Sequence, residues 1–481
     1  MTATTLANVA YLLSSALFIL GLKRLSKVKT ARAGNQLAAG AMALAVLGTL
    51  VEMETIPWQW VVAGVAIGGL IGGVAAVKVE MTSMPEMVAL FNGFGGAASA
   101  VVALSIFWGT GLEGLDGAAH RIIEGRTAAA ALGGAEAFTS ALSIVIGALT
   151  FTGSIVAFMK LNGSLRKGKP IMLPARHLIN GALVLAGLGC IAWFTGIATG
   201  PDELLMAVGV LTGLSLLLGI LLVIPIGGAD MPVVVSLLNS YSGVAASAAG
   251  FVVGNPALII AGAMVGAAGL ILTQIMCVAM NRSLVNVLVG GFGEAATAED
   301  ARDYQNVTST GAEETAMLLE SASSVIIVPG YGLAVAQAQH AIHELDQELE
   351  KMGATVRYAI HPVAGRMPGH MNVLLAEANV PYEKLVEMEA INGEFATTDA
   401  VIVLGANDVV NPSAIDDPQS PIAGMPILNV HEARTVFVIK RSLSPGYAGI
   451  KNPLFERDNA MMLFGDAKKM VQETLKELRE L

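Results

Sequence analysis

The sequence is poor in charged residues, which make up 14% of its 481 positions. A soluble globular chain contains about a quarter charged residues, so this shortage favours a chain that is largely surrounded by lipid. The net charge is −10, and the chain therefore lacks the basic excess that a nucleic-acid partner requires. The two cysteines, Cys190 and Cys277, stand inside apolar runs without metal-ligand spacing, and we expect them to be buried thiols.

A positive charge before the first apolar stretch is also missing, although signal peptides carry one there. Lys23 and Arg24 follow the stretch instead. The first stretch is therefore expected to be a retained membrane helix.

Apolar residues are abundant, at 54% of the chain. Stretches long enough to cross roughly 30 Å of hydrocarbon recur up to residue 280. They predict about nine membrane spans, at 4–22, 36–54, 58–78, 84–108, 138–159, 178–198, 203–226, 232–253 and 257–280.

Basic residues in the loops predict the orientation of these spans. The loops on one side hold only Arg121 and Arg126, and an interfacial helix is expected there at about 109–135. By the positive-inside rule, the N-terminus faces outward and the C-terminal domain is cytoplasmic. The loops after spans one, three, five and nine hold Lys23, Arg24, Lys27, Lys29, Arg32, Lys78, Lys160, Arg166, Lys167, Lys169, Arg176 and Arg282.

Small and polar residues stand out within the spans. Glycine runs such as Gly68-Gly69-Leu70-Ile71-Gly72-Gly73 predict close helix packing. Polar groups in lipid are costly and often line an ion path, although they also hold helices together by hydrogen bonds. The candidates are Glu86 and Asn92 on span four, Asp230 at the start of span eight, and Ser236 and Asn239 along it.

The composition of the chain becomes more polar after residue 280. The polar stretch 281–322 predicts a linker, and strands then alternate with helices. We expect strands at 324–328, 355–360, 400–404, a short one ending at Ile427-Leu428, and 436–440, with helices at 333–352 and 466–480. This alternation predicts a doubly wound parallel sheet. The predicted fold is thus a polytopic α-helical membrane bundle, 1–280, followed by a doubly wound parallel α/β nucleotide-binding domain, 323–481.

The segment Pro329-Gly330-Tyr331-Gly332-Leu333-Ala334-Val335 follows a buried strand and opens a helix. That context is typical of a dinucleotide fingerprint, in which glycines let the pyrophosphate approach helix N–H groups. Val335 replaces the third glycine, and a glycine-rich turn without a ligand is the alternative.

Two features favour NADP(H) over NAD(H). Sites that prefer NAD place an acid after the second strand, whereas this chain has His361 and Pro362 there. Lys440, Arg441 and Ser442 end the fifth expected strand, and two cations with a hydroxyl suit a 2′-phosphate. A solvated basic turn is the alternative.

Three further loops follow strand ends, where open α/β sheets bind ligands. They are 363–370, 405–409 and 445–449. In these loops Arg366 is a candidate partner of pyrophosphate, and Tyr447 is a candidate to cover the nucleotide. Asp408 is a candidate neighbour of the nicotinamide, with a helix N-cap or turn role as the alternative.

Seven segments resemble the β subunit of the proton-translocating nicotinamide nucleotide transhydrogenase, and the similarity runs nearly end to end. They are Met81-Thr82-Ser83-Met84-Pro85-Glu86, Ala229-Asp230-Met231-Pro232, Leu238-Asn239-Ser240-Tyr241-Ser242-Gly243, Pro329-Gly330-Tyr331-Gly332, His361-Pro362-Val363-Ala364-Gly365-Arg366, Gly405-Ala406-Asn407-Asp408, and Lys440-Arg441-Ser442. The resemblance implies a flipped NADP(H) and a site that includes Tyr331, Val363, Ala364, Gly365, Arg366, Met367, Pro368, Gly405, Ala406, Asn407, Asp408, Val409, Gly424, Met425, Lys440, Arg441, Ser442, Leu443, Ser444, Pro445, Gly446, Tyr447, Asp466 and Ala467.

The resemblance also implies hydride transfer between NADP(H) on this chain and NAD(H) on a partner α subunit, coupled to proton movement across the inner (cytoplasmic) membrane, in a complex that is a dimer. Many family members carry a proton-conducting histidine where this chain has Asn92, which does not titrate near neutral pH. We therefore expect the partner to supply the titrating group, with Asn92 and Asn239 ordering water beside it. A nucleotide-gated transporter and a membrane-anchored dehydrogenase are the competing interpretations.

Overall fold

The structure is a computed structural model that describes residues 2–52, 58–108, 127–165, 170–199, 201–289 and 304–481. Contacts divide the chain into two compact units, Met1–Ile226 with Val234–Thr273, and Gly227–Val233 with Gln274–Leu481. The predictions for Arg121, Arg126, Arg166, Lys167 and Lys169, and for most of the interfacial helix at 109–135, concern residues outside the described ranges.

Nine helices within the described ranges are long and apolar enough to cross a membrane. All nine match the predicted spans to within several residues at each end, which confirms the polytopic helical region. These helices are Ala3–Leu25, Val28–Glu52, Trp58–Lys78, Met84–Trp108, Gly134–Leu161, Arg176–Gly196, Pro201–Val223, Met231–Val252 and Pro256–Ala279.

Glycine packs several of these helices closely, as predicted. A Cβ on Gly147 of span five would stand 2.5 Å from the carbonyl oxygen of Gly96 on span four, and one on Gly243 of span eight 2.4 Å from the nitrogen of Gly266 on span nine. The run chosen from the sequence behaves differently. No described residue lies within 4 Å of a Cβ built on Gly68, Gly69, Gly72 or Gly73, so this run makes no close contact with the helices that the structure describes.

Two further expectations change in detail. Lys160 was assigned to a loop, but it lies buried near the end of helix Gly134–Leu161, where its Nζ donates to the Ile224 carbonyl oxygen at 2.6 Å. The last carbonyls of a helix lack partners within that helix, and this amine satisfies one just beyond span seven. Of the two cysteines, Cys277 is buried and Cys190 is half-buried.

The C-terminal region contains a parallel seven-stranded sheet, which confirms the predicted α/β class. Its order is β1-β7-β6-β5-β2-β3-β4, and every neighbouring pair is parallel. The strands are β1 (Thr308–Ser309), β2 (Ser324–Pro329), β3 (Thr355–Ile360), β4 (Leu385–Glu387), β5 (Ala400–Leu404), β6 (Thr435–Lys440) and β7 (Ala460–Phe464).

Helices flank the sheet, and buried apolar residues of the central strands form its core. Every residue of β5 is buried, as expected for a central strand covered on both faces. The described α-helices beyond the spans are Ala128–Leu132, Leu284–Val289, Ala312–Glu320, Tyr331–Ala336, Gln339–Lys351, His370–Glu377, Met388–Ile391, Ser413–Asp416 and Ala467–Glu480.

Two predicted elements of this region are wrong. Ile427 and Leu428 do not form a strand; they are buried, and the Leu428 N–H donates to the Val409 carbonyl oxygen at 2.9 Å. The helix predicted at 333–352 is two helices, because Gln337 adopts a left-handed conformation (φ 49°) that ends Tyr331–Ala336. Strands β1, β4 and β7 were not predicted, and β1 with helix Ala312–Glu320 lies inside the expected linker 281–322.

Candidate functional site

The strand order of the sheet reverses between β2 and β5, which are neighbours although two strands separate them in sequence. Open α/β sheets bind ligands at such a switch point, outside the carboxyl ends of the strands. A cavity of about 520 Å³, called the cleft below, is lined by the loops that follow β2, β3, β5, β6 and β7. Its lining is Gly330, Tyr331, Gly332, Val335, Val363, Ala364, Gly365, Arg366, Gly405, Ala406, Asn407, Asp408, Val409, Ile439, Lys440, Arg441, Ser442, Ser444, Pro445, Gly446, Tyr447, Gly465 and Ala467.

The glycines after β2 pack against the loop after β5. A Cβ on Gly330 would stand 2.5 Å from Ala406 Cα, and one on Gly332 would stand 2.6 Å from Gly405 Cα. The Gly330 N–H donates to the Leu404 carbonyl oxygen and the Gly332 N–H to that of Gly405, each at 2.9 Å. These two N–H groups are therefore engaged within the protein, and the glycines serve the close crossing of two loops.

An arginine and two tyrosines bridge three of the loops. The Arg366 guanidinium lies 4.3 Å from the centroid of the Tyr331 ring, and its Nε donates to the Tyr447 hydroxyl at 3.3 Å. Gly365 beside it has φ 105°, a conformation that favours glycine, and a Cβ there would stand 2.5 Å from His370 Nδ1. The bridge places one cation and two rings at the cleft.

Asp408 supplies the carboxylate of the cleft. Its Oδ2 accepts a hydrogen bond from the Ala448 N–H at 3.0 Å, which joins the loops after β5 and β6. Its Oδ1 is buried without a hydrogen-bond partner among the described residues. Burial raises the pKa of this carboxyl group, against the opposing effect of N–H donors and the Lys440 charge. Asp408 is the first residue of the short turn Asp408–Val410, whose N-cap position is Asn407, so of the alternative roles the structure agrees with the turn and not with the N-cap.

The basic turn after β6 also lines the cleft. The Lys440 Nζ donates to the Ser444 carbonyl oxygen at 2.8 Å and lies 4.9 Å from the centroid of the Phe455 ring. Burial lowers the pKa of Lys440 to about 8. The Arg441 side chain is 62% exposed, and its Nε lies 3.9 Å from a carboxylate oxygen of Asp466. The turn thus carries one half-buried and one accessible cation.

His361 stands where an NAD-preferring site would place an acid, and it faces inward. Its Nε2 donates to the Pro426 carbonyl oxygen at 2.8 Å, and its Nδ1 accepts from the Val363 N–H at 3.2 Å. Burial lowers its pKa to about 4, so the ring is neutral at pH 7. A neutral buried ring cannot replace the missing carboxylate.

Six expected residues do not line the cleft. Met425 lines a smaller cavity of about 80 Å³ that shares Val363, Gly365 and Asp408 with it. Gly424 faces Asn281, and Asp466 caps helix Ala467–Glu480 by accepting from the Lys469 N–H. Ile439 and Gly465 line the cleft but were not predicted; each directly precedes an expected residue at a strand end. The remaining expected residues outside the lining are Met367, Pro368 and Leu443.

Two of the polar candidates in the spans, Asn92 and Ser236, make hydrogen bonds between helices. Asn92 donates to the Val235 carbonyl oxygen at 3.1 Å, and Ser236 donates to that of Gly269 at 3.2 Å. Both bonds join neighbouring spans, as the helix-bonding alternative predicts. The half-buried Asn239 amide makes no hydrogen bond to any residue that the structure describes.

The two acidic candidates are buried at the start of spans. Glu86 lies in the first turn of helix Met84–Trp108. Asp230 lies in the short turn before helix Met231–Val252, and its two carboxylate oxygens accept from Arg282 Nη1 at 3.1 and 3.0 Å. Asp230 is therefore held in a buried ion pair.

A family model described as the NAD(P) transhydrogenase beta subunit matches residues 7–477. The chain belongs to the NAD(P) transhydrogenase beta-subunit family. It is 49% identical over 477 residues to two relatives called NAD(P) transhydrogenase subunit beta, one from Rhodospirillum rubrum and one from a named strain of that species. Each match covers 98% of this chain and 99% of the relative.

Membership of this family gives the switch-point cleft a chemical context. A transhydrogenase subunit has an oxidoreductase role, and the family is associated with NADP(H) binding. The beta-subunit name also implies an alpha-subunit partner.

Proposed function

We propose that this beta subunit binds NADP(H) in the cleft and serves hydride transfer between NADP(H) and NAD(H), coupled to proton movement across the membrane. The observation that carries the proposal is the basic turn of Lys440, Arg441 and Ser442 at a switch-point cleft. A dianionic phosphate suits two cations and a hydroxyl. The neutral, inward-facing His361 leaves no acid after β3 to favour an unphosphorylated ribose.

The remaining cleft residues fit a dinucleotide. Arg366 would hold the pyrophosphate, while Tyr331 and Tyr447 would cover the nucleotide. The partnerless Oδ1 of Asp408 is the kind of buried acceptor that a carboxamide N–H satisfies. Predicted residues outside the lining, such as Met367, Pro368 and Leu443, would belong to the second layer of the site.

Bound nicotinamide supplies the hydride chemistry, so the protein needs only to hold two nicotinamide rings together and exclude water. This chain carries a single nucleotide fingerprint. The second nucleotide, NAD(H), would therefore be held by the alpha subunit, and the chain would be inactive alone. We further propose a dimer of the complete complex.

The membrane helices would provide the proton path. We place Asn239 on it, because its amide is available to order water while Asn92 and Ser236 bond neighbouring helices. Glu86 and Asp230 would lie near its ends, and the partner would supply the titrating group. The basic loops favour an inner-membrane protein with its N-terminus outside and its α/β domain in the cytoplasm.

Titration of the full chain with NADPH and NADH tests the nucleotide assignment. We expect NADPH to bind at least tenfold more tightly, since the 2′-phosphate adds charge-assisted hydrogen bonds of roughly 1.5–3 kcal/mol. Arg441→Ala should weaken NADPH binding by about tenfold and leave NADH binding nearly unchanged.

Arg434→Ala is the matched control. Arg434 is also an exposed arginine of this domain, with its Nη1 3.7 Å from Asp399, and it does not line the cleft. We expect this variant to bind both nucleotides as the parent chain does. Equal affinity of the parent chain for NADPH and NADH would contradict the proposal.

A further inference from the structure

Tyr304 precedes β1 and packs against an aromatic ring that a cleft residue also contacts. Its ring centroid lies 5.9 Å from that of Phe455, which is fully buried. The Lys440 Nζ lies 4.9 Å from the centroid of the same Phe455 ring. Phe455 thus lies in contact with both Tyr304 and a residue that lines the cleft.

A second connection runs from the Tyr304 hydroxyl. This oxygen accepts a hydrogen bond from the Asn452 N–H at 3.0 Å. Asn452 is fully buried, and its Nδ2 donates to the Asn407 carbonyl oxygen at 3.1 Å. Asn407 directly precedes Asp408 in the loop after β5. Two hydrogen bonds therefore link Tyr304 to the loop that carries the carboxylate of the cleft.

The same segment is anchored next to Tyr304. The Gln305 N–H donates to Glu456 Oε1 at 2.8 Å, and the Lys451 Nζ lies 2.9 Å from that oxygen. The Lys451 Nζ also stands 5.1 Å from the centroid of the Tyr304 ring. Since β1 then joins the sheet at its edge, the segment is held at both ends and the hydroxyl has a fixed position.

We propose that the Tyr304 hydroxyl is a positioning group for the cleft, which acts through Asn452 on the Asn407 carbonyl and thereby sets the place of Asp408. The inference rests on the proposed function, because it assigns the cleft to NADP(H). Tyr304 touches no lining residue through its hydroxyl, so its effect on the nucleotide is indirect.

Tyr304→Phe tests this proposal in the full-length chain, because it keeps the ring against Phe455 and removes only the hydroxyl. We expect NADPH affinity to fall about fivefold, the effect of one lost hydrogen bond. The fluorescence emission of bound NADPH should move toward that of NADPH in water, which a purely structural loss of stability would not produce.

One control decides the outcome. Tyr358→Phe removes another tyrosine hydroxyl of this domain, which donates to Asp346 Oδ2 at 3.2 Å and lies outside the cleft lining, and this variant should leave affinity and emission unchanged. The proposal is overturned if Tyr304→Phe binds NADPH as the parent does, or if Tyr358→Phe reproduces its shift. Failure of the parent chain to bind NADPH would instead sink the proposed function.

Discussion

Two charged residues of the cleft influence each other's pKa. Burial raises the pKa of the Asp408 carboxyl and lowers that of the Lys440 amine, while each charge favours the ionised form of the other. The sequence shows both residues at strand ends, but it does not show their shared burial. For that reason the sequence alone does not decide between a cleft role for Asp408 and a helix N-cap or turn role.

His361 gives the domain a pH dependence that can be measured. Its pKa falls from 6.5 to about 4 on folding because the ring is buried. Between these two pH values the ring is therefore protonated in the unfolded chain and neutral in the folded chain. Stability present above pH 6.5 should be lost as the pH drops toward 4. His361→Gln retains a donor for Pro426 and removes the titration. The free energy of unfolding of this variant should therefore fall less steeply with decreasing pH than that of the parent chain. The two slopes should differ by up to about 1.4 kcal/mol per pH unit.

Thermal unfolding of the full chain between pH 4 and 7 measures this difference. His340→Gln, at an exposed histidine on helix Gln339–Lys351, should keep the steep dependence of the parent chain. Parallel curves for His361→Gln and the parent would show that His361 is not the group responsible.

At the scale of elements, the crossing of the loops after β2 and β5 builds the switch point. Gly332 lies in helix Tyr331–Ala336 and its φ is not positive. The space around it, and not its backbone conformation, therefore restricts which side chain fits at this position. An alanine there would push its Cβ to 2.6 Å from the Gly405 Cα and force one loop to move. We expect Gly332→Ala to cost about 1–3 kcal/mol of stability, the usual range for overpacking, and to weaken NADPH binding.

Gly393→Ala is the control for this prediction, because a Cβ at Gly393 meets nothing within 4 Å and its φ is not positive. Denaturant unfolding of the two variants compares the costs. If Gly332→Ala were as stable as Gly393→Ala, the close crossing of the two loops would not contribute to the stability of the domain.

Most of the longer elements were predictable and the shortest strands were not, with β7, which is as long as β5, as the exception. The expected strands 355–360 and 400–404 match β3 and β5, since buried apolar runs bounded by turns carry a clear signal. Strand β1 is only two residues long and β4 only three, so neither is long enough to show a period. Ile427 and Leu428 misled the prediction because they are buried for packing and pair with no strand.

The site follows the same division. Residues next to long strands, such as Gly330, Gly405 and Lys440, were identified from their position at strand ends. The connection from Tyr304 through Asn452 was not, because it joins positions almost 150 residues apart by hydrogen bonds. Sequence periodicity indicates which face of a helix or strand is buried, but it does not indicate which distant residues form hydrogen bonds.

At the scale of the whole molecule, one chain contains a region of long apolar helices and an α/β domain, to which we assign proton movement and NADP(H) binding respectively. If the membrane region carries the protons, a substitution there should impair proton movement without weakening nucleotide binding. Asn239→Leu should reduce proton movement by tenfold or more while NADPH affinity stays unchanged, because Asn239 lies on a span and lines no part of the cleft. Ser240→Ala, which removes a hydrogen bond to the Gly266 carbonyl oxygen, should remain coupled.

The most direct measurement places the chain in sealed vesicles with and without an alpha subunit, and follows hydride exchange and internal pH together. We expect exchange between NADPH and an NAD⁺ analogue only when both subunits are present, accompanied by proton movement that Asn239→Leu reduces by tenfold or more. Exchange by the beta subunit alone, or exchange with both subunits that leaves the internal pH unchanged, would contradict the account.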